Sequence, residues 1–132
     1  MVAQRFGFEF SRRMGVAFVL SVTLGMSAVP VFAQDNPFTQ SVAAAAAEED
    51  VIAAFYQQRD YRTLWTGPAD AARRAALLAA LDGAGAHGLP VARYDTGALR
   101  QAFHTAVTEG DRGRLEYAMT RAFLNYAHDL SS

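Results

Sequence analysis

Residues 114–130 read RLEYAMTRAFLNYAHDL, and this stretch decides the fold class. Its apolar side chains recur at intervals of three and four, which places them along one face of an α-helix. Residues 109–111, Glu-Gly-Asp, are predicted to form a turn, and Asp111 then begins a helix that continues to about residue 130. The face that we expect to be buried consists of Leu115, Met119, Ala122, Phe123, Tyr126 and Leu130.

A shorter amphipathic helix is predicted over residues 48–58. Val51, Ile52 and Phe55 share one apolar face, and acidic residues lie at its start, where the helix dipole favours negative charge. Residues 59–65, RDYRTLW, then lose the helical period. We therefore expect an extended connector whose last two residues dock on the core.

Two further helices complete the predicted fold. One spans Pro68 to Ala84 and ends at a glycine-rich turn, and the other begins at Asp95 or Thr96 and continues to about Val107. No strand–helix alternation and no repeat is found, so the sequence predicts an all-α fold of about four helices, preceded by a signal-peptide helix. The expected buried faces are Leu77, Leu78, Leu81 and Ala84, and Leu99, Phe103, Ala106 and Val107.

The first 33 residues have the three parts of a secretory signal peptide. A basic segment is followed by an apolar stretch, and cleavage is expected between Ala33 and Gln34. The alternative is an uncleaved inner-membrane anchor over residues 14–33, which is just long enough to span a bilayer. Either interpretation places the rest of the chain in the periplasm. Residues 34–47, with five consecutive alanines, are expected to be a flexible tether before a domain at 48–132.

The composition excludes several classes of function. The chain has no cysteine, which rules out disulfides, thiolate metal ligands and a cysteine nucleophile. Residues 34–132 hold nine Arg and no Lys against twelve acidic residues. This excess of negative charge argues against a nucleic-acid partner, which would need a basic surface.

Three local patterns could carry chemistry, and each has a plainer explanation. Residues 83–88, GAGAHG, match the dinucleotide-binding glycine pattern but follow a helix, so a helix end and tight turn are favoured. His87, His104 and His128 lack the spacing of metal ligands, although the His87 ring could bond helix carbonyls. No metal or cofactor is expected. The aromatic and Arg side chains of residues 55–65 could stack on a sugar or a peptide, but a packed corner is favoured.

Three stretches carry a more specific pattern, namely IAAFYQQRDYRTLW at 52–65, ALLAALDGAGAHGLP at 76–90, and RLEYAMTRAFLNYAHDL at 114–130. In this order they resemble the N-terminal helical scaffold region of the large periplasmic murein L,D-transpeptidases. The resemblance implies that residues 48–132 are a scaffold domain. The positions expected to serve its packing are Phe55, Tyr56, Tyr61, Trp65, Leu77, Leu81, His87, Gly88, Leu115, Met119, Phe123 and Tyr126.

Proteins of that family cross-link peptidoglycan through a cysteine acyl-enzyme in a downstream catalytic domain. Because this sequence has no cysteine, no catalytic residue carries over. The resemblance therefore implies a non-catalytic scaffold, as a fragment or truncated form, whose partners are the catalytic and peptidoglycan-binding parts of the same family, and peptidoglycan itself is a further candidate partner. The alternative is a free-standing periplasmic helical binding or adaptor module.

Overall fold

The computed structural model describes residues 36–132. All regular secondary structure in that part of the chain is helical and it contains no strand, which confirms the all-α prediction. Its α-helices are α1 (Pro37–Ala45), α2 (Asp50–Gln58), α3 (Ala71–Asp82), α4 (Thr96–Thr105) and α5 (Glu109–Ser131). Three short 3-10 segments connect them, at Pro68–Asp70, Gly83–His87 and Val91–Arg93.

The predicted leader lies outside the described residues. This applies to the signal peptide at 1–33, to its cleavage site between Ala33 and Gln34, and to the alternative anchor at 14–33. Among the helices of residues 36–132, none combines the length and the apolar character that a bilayer crossing requires.

The prediction of a flexible tether before residue 48 is wrong for most of that segment, because residues 37–45 form the packed helix α1. The Asn36 side chain caps this helix by accepting a hydrogen bond from the Phe38 N–H, and a proline occupies the first turn. Phe38 and Val42, four residues apart, are buried against α5. The folded domain therefore includes α1 and begins before residue 48.

Gly113 explains how closely α1 approaches α5. A Cβ atom built on Gly113 would lie 2.5 Å from the Phe38 carbonyl oxygen and 2.7 Å from the Ser41 Cβ. Ordinary contacts between such atoms are about 3.5–4.0 Å. The two helix backbones therefore lie in contact at a point where only glycine fits.

The predicted buried face of α2 had three residues, and the prediction is wrong for two of them. Ile52 is buried together with Tyr56, whereas Val51 is 76% exposed and Phe55 is 36% exposed. The Ile52–Tyr56 face packs with Phe38, Val42 and Ala46 into one of two apolar clusters. Because α2 packs against α1 and α5, the face of α2 that is buried differs from the face that its sequence makes most apolar.

The α3 segment follows the prediction, with Leu77, Leu78 and Leu81 buried. Its 3-10 extension ends at Gly88, whose φ of 75° is the left-handed conformation that favours glycine. The N–H groups of Gly88 and Leu89 donate to the carbonyls of residues 85 and 84, so the helix end is satisfied by backbone alone. The expected role of His87 in bonding these carbonyls is wrong, because the backbone N–H groups of residues 88 and 89 bond them and the His87 side chain is exposed.

The last two helices differ from the prediction at their ends. The α4 helix is capped by Asp95 but stops at Thr105, which leaves Val107 86% exposed instead of buried. The α5 helix begins at Glu109, two residues earlier than expected, because Thr108 and Asp111 form a reciprocal capping box. The turn predicted at residues 109–111 is therefore the first turn of α5.

The larger apolar cluster joins α3, α4 and α5. Leu115 and Met119 of α5 are its buried centre, as predicted, while Phe123 and Leu130 are 42% and 48% exposed. Toward its C-terminus, α5 therefore buries fewer of the apolar side chains on this face than the period of the sequence predicts. The buried members of this cluster are Trp65, Leu77, Leu78, Leu81, Ala84, Tyr94, Leu99, Leu115, Met119 and Ala122.

Candidate functional site

A fully buried carboxylate lies at the centre of the domain. Glu116 of α5 is 0% exposed, and its two oxygens accept hydrogen bonds from three consecutive backbone N–H groups, those of residues 64–66. The Thr66 hydroxyl donates to Oε2 at 2.8 Å. A buried charge is tolerated only when it is paired or hydrogen-bonded on all sides, and these donors provide that.

Three further side chains, those of Tyr56 in α2, Trp65 in the connector and Thr120 in α5, complete this arrangement, which we call the Glu116 network. The Tyr56 hydroxyl donates to Glu116 Oε1 at 2.9 Å and lies 2.6 Å from Thr120 Oγ1. The Trp65 indole N–H donates to the same Thr120 oxygen at 2.8 Å. Thr120 therefore accepts from Trp65 and donates to Tyr56, and every donor has an acceptor. Burial raises the pKa of Tyr56 well above its usual range, so the phenol stays protonated.

The connector before α3 is held from its other side by arginines of α3. Arg73 donates to the Leu64 carbonyl at 2.9 Å, and Arg74 donates to the Trp65 carbonyl at 3.0 Å. The backbone N–H groups of the connector thus point to an anion and its carbonyls point to cations. The prediction that its last two residues dock on the core is confirmed, since Trp65 is buried and Leu64 is partly buried.

The connector begins with backbone in an uncommon conformation. Asp60 and Tyr61 have φ values of 53° and 54°, which non-glycine residues seldom adopt. The N–H of Tyr61 donates to the Tyr56 carbonyl and that of Asp60 donates to the Gln57 carbonyl, the pattern of a Schellman helix end. This sharp end of α2 directs the chain toward Glu116.

The predicted packing positions divide into two groups. Half of them are buried, and the structure brings two of these, Tyr56 and Trp65, to α5 in the Glu116 network. Phe55, His87, Gly88 and Phe123 are exposed and Tyr61 and Tyr126 are half-buried, so these do not form the packed centre. The buried group consists of Tyr56, Trp65, Leu77, Leu81, Leu115 and Met119.

The polar role of Glu116 was missed at the sequence level, although a signal was present. Glu116 and Thr120 are four residues apart and adjoin Leu115 and Met119, so they share the inward side of the same helix. A carboxylate on a buried helix face needs donors, and these come from residues 64–66, which lie 50 to 52 residues earlier in the chain. Which segment supplies them cannot be read from periodicity.

The described residues hold no cluster of His, Asp or Glu suited to a metal ion. Each of His87, His104 and His128 is exposed. Residues 83–88 form a 3-10 segment and a left-handed glycine after a helix, and are not preceded by a strand, so the dinucleotide alternative is excluded by the local fold.

A groove of about 600 Å³ separates α4 from α5. Small side chains line its floor, including Ala102 of α4 and Ala118 of α5. Three arginines and two aspartates line its rim, and they are Arg93, Arg114, Arg121, Asp95 and Asp111. Its volume lies in the range that is typical of small-molecule ligand pockets.

Comparison with known proteins gives one family. A family model described as Scaffold domain matches residues 50–132, which is more than half of the chain. No curated protein and no solved structure matches the sequence. The matched segment contains α2 to α5 and every member of the Glu116 network. The chain therefore belongs to the Scaffold domain family.

Proposed function

We propose that this chain supplies the helical scaffold of a periplasmic murein L,D-transpeptidase and is not catalytic by itself. One observation carries the proposal. The first and third sequence stretches that resemble that family meet in the Glu116 network, through Tyr56 and Trp65 of one and Glu116 of the other. Residues of two of these stretches thus form the polar network that joins α2 and the connector to α5.

The network suits a supporting role in a larger enzyme. Buried, fully satisfied polar groups restrict a domain to a single packing arrangement, whereas apolar groups alone tolerate several. A rigid helical frame could hold a catalytic domain and a peptidoglycan-binding domain in fixed relation during cross-linking. The cysteine nucleophile of the reaction would belong to another part of the protein, since this chain contains none.

The proposed location is the periplasm, and it rests on the sequence of residues 1–33. Their basic start, apolar centre and small residue at Ala33 are the features of an export signal. The absence of cysteine is compatible with that compartment, because the domain relies on packing and hydrogen bonds.

The genomic sequence immediately downstream of residue 132 tests the proposal at low cost. We expect a reading frame, continuous or interrupted by one frameshift, that encodes a cysteine-containing catalytic domain. Restoring the frame should yield a protein that increases diaminopimelate–diaminopimelate cross-links in isolated sacculi. Unrelated downstream sequence, or a restored protein without this activity, would refute the transpeptidase assignment.

The alternative of a free-standing binding module is favoured by one exposed feature. The Arg59 guanidinium lies 5.0 Å from the centre of the Phe55 ring, which is 36% exposed. Such a pair can stack on a sugar ring. Trp65 is excluded as the contact because it is buried. Sedimentation with purified sacculi would favour this module if Phe55→Ala abolished binding and Val51→Ala, a change on the same helix, did not.

A further inference from the structure

The junction between α1 and α2 turns without any of the residues that usually end a helix. Residues 46–49 read Ala-Ala-Glu-Glu, and the whole segment 38–58 contains no glycine, proline or asparagine. Alanine is the strongest helix former, and glutamate is among the strong ones. The Glu49 side chain makes no capping hydrogen bond to α2. Local preference therefore favours one continuous helix from α1 into α2, whereas the structure has a turn.

Tertiary contacts impose this turn. Glu49 has a φ of −125° and a ψ of 81°, which lie outside the helical region. Its carboxylate accepts a hydrogen bond from the Tyr117 hydroxyl of α5, and Ala46 is buried in the smaller apolar cluster. The turn allows α1 to fold back onto α5 of its own chain. A segment whose local preference conflicts with its tertiary contacts has a second arrangement open to it, in which residues 46–49 are helical.

The surface under α1 fits this helix closely and belongs to other elements. Phe38 and Val42 of α1 are buried in the smaller apolar cluster. The facing side is formed by Ile52 and Tyr56 of α2 and by Gly113 of α5, where only glycine leaves room for the α1 backbone. The α1 helix of a second copy would make the same contacts, because the same residues would meet the same surface.

We propose that two copies of this chain form a dimer by exchanging α1. In each chain residues 46–49 become helical and join α1 to α2, and the face of α1 that carries Phe38 and Val42 covers α5 of the other copy. The exchange keeps the packing of α1 and adds helix at the junction. Its cost is the lost freedom of two independent molecules, so the dimer forms at high protein concentration. This proposal does not depend on the transpeptidase proposal, because it rests on α1 and its junction alone.

The absence of cysteine permits a direct test of which chain holds α1. A Cβ atom built on Gly110 of α5 lies 3.3 Å from the Ser41 Oγ of α1. In a disulfide, a Cβ lies about 3 Å from the far sulfur, so cysteines at these two positions can be bonded. The purified variant Ser41→Cys/Gly110→Cys is refolded from urea at about 10 μM and at about 1 mM, oxidised, and run on a denaturing gel without reductant. A bond within one chain gives a monomer band, and bonds between exchanged chains give a dimer band.

We expect a monomer band at the low concentration, and at the high one a dimer band in which peptide mapping finds position 41 of one chain bonded to position 110 of the other. In the cysteine-free protein, Ala47→Gly should raise the dissociation constant of the dimer about thirtyfold in sedimentation experiments. The reason is that glycine lowers the helical preference about fivefold at each of the two junctions. Ala44→Gly is the matched control and should leave the constant unchanged, because Ala44 is exposed and lies within α1 in both forms.

Three results would overturn the proposal. The first is a protein that stays monomeric at the higher concentration. The second is a dimer in which the bond between positions 41 and 110 remains within each chain, since the two copies would then meet through another surface. The third is an equal effect of Ala47→Gly and Ala44→Gly on the dissociation constant, since the junction would then not be helical in the dimer.

Discussion

Replacing Gly113 by alanine tests the contact that holds α1 to α5. The new Cβ would lie 2.5 Å from the Phe38 carbonyl oxygen, an atom of the α1 backbone that cannot rotate away as a side chain could. Restoring an ordinary separation requires α1 to move by about 1 Å. The buried side chains of Phe38 and Val42 would then lose part of their packing against α5.

Two opposing effects set the magnitude for Gly113→Ala. Alanine is the better helix former and would stabilise the interior of α5 by about 1 kcal/mol. Forcing extra volume into a packed contact costs about 1–3 kcal/mol, and partial exposure of two buried apolar side chains adds up to about 2 kcal/mol more. We expect a net loss of about 2 kcal/mol, which lowers the Tm of a domain of this size by about 8–16 °C.

Thermal unfolding of the protein measures this effect, and hydrogen exchange shows where it arises. The amides of α1 should exchange faster in Gly113→Ala, while those of α4 should stay protected. Gly97→Ala is the matched control, because a Cβ at Gly97 meets no atom within 4 Å. That variant should be neutral or slightly stabilising. A Gly113→Ala protein with unchanged Tm and unchanged protection of α1 would refute the close-contact argument.

Three further predictions concern other parts of the domain. Glu116→Gln should cost about 3 kcal/mol of unfolding free energy in urea titrations, because the amide nitrogen cannot accept hydrogen bonds from the connector N–H groups. Tyr56→Phe should cost only about 1 kcal/mol in the same titrations. Equal losses of unfolding free energy in the two variants would contradict the network. Hydrogen bonds from Thr108 lower the pKa of Asp111 to about 2, so this carboxylate stabilises the fold above about pH 4 and loses that effect as the pH falls through 2. The Tm difference between wild type and Asp111→Asn should therefore shrink from pH 5 to pH 2, and a constant difference would count against the cap. Phe38→Ala should cost about 3–5 kcal/mol in the same titrations, and a change under 1 kcal/mol would mean that α1 contributes little.

Periodicity predicted the parts of the fold that depend on a single helix. The stripe of Leu77 and Leu81 on α3 and the seam of Leu115 and Met119 on α5 are buried as expected. Each repeats at three or four residues over several turns, so the pattern alone identifies the inward side. The resemblance to a scaffold region also agrees with the family to which the chain belongs.

The remaining features depend on contacts between segments. The alanine-rich stretch at 37–45 offers only Phe38 and Val42 for burial, and whether these suffice depends on a glycine on a distant helix. The exposure of Val51 and Phe55 likewise follows from where α1 packs. The groove is a consequence of small side chains on two helices, and its existence depends on their separation, which no local pattern encodes.

The Glu116 network also sets an order in which the domain can form. The N–H groups of the connector find their acceptor on α5, about 50 residues later in the chain. A chain is made from its N-terminus, so the path from α2 to α3 cannot become fixed until the last helix has been synthesised. The earlier helices therefore remain incompletely assembled until α5 has been synthesised. A factor that shields them during that interval would raise the yield of folded protein.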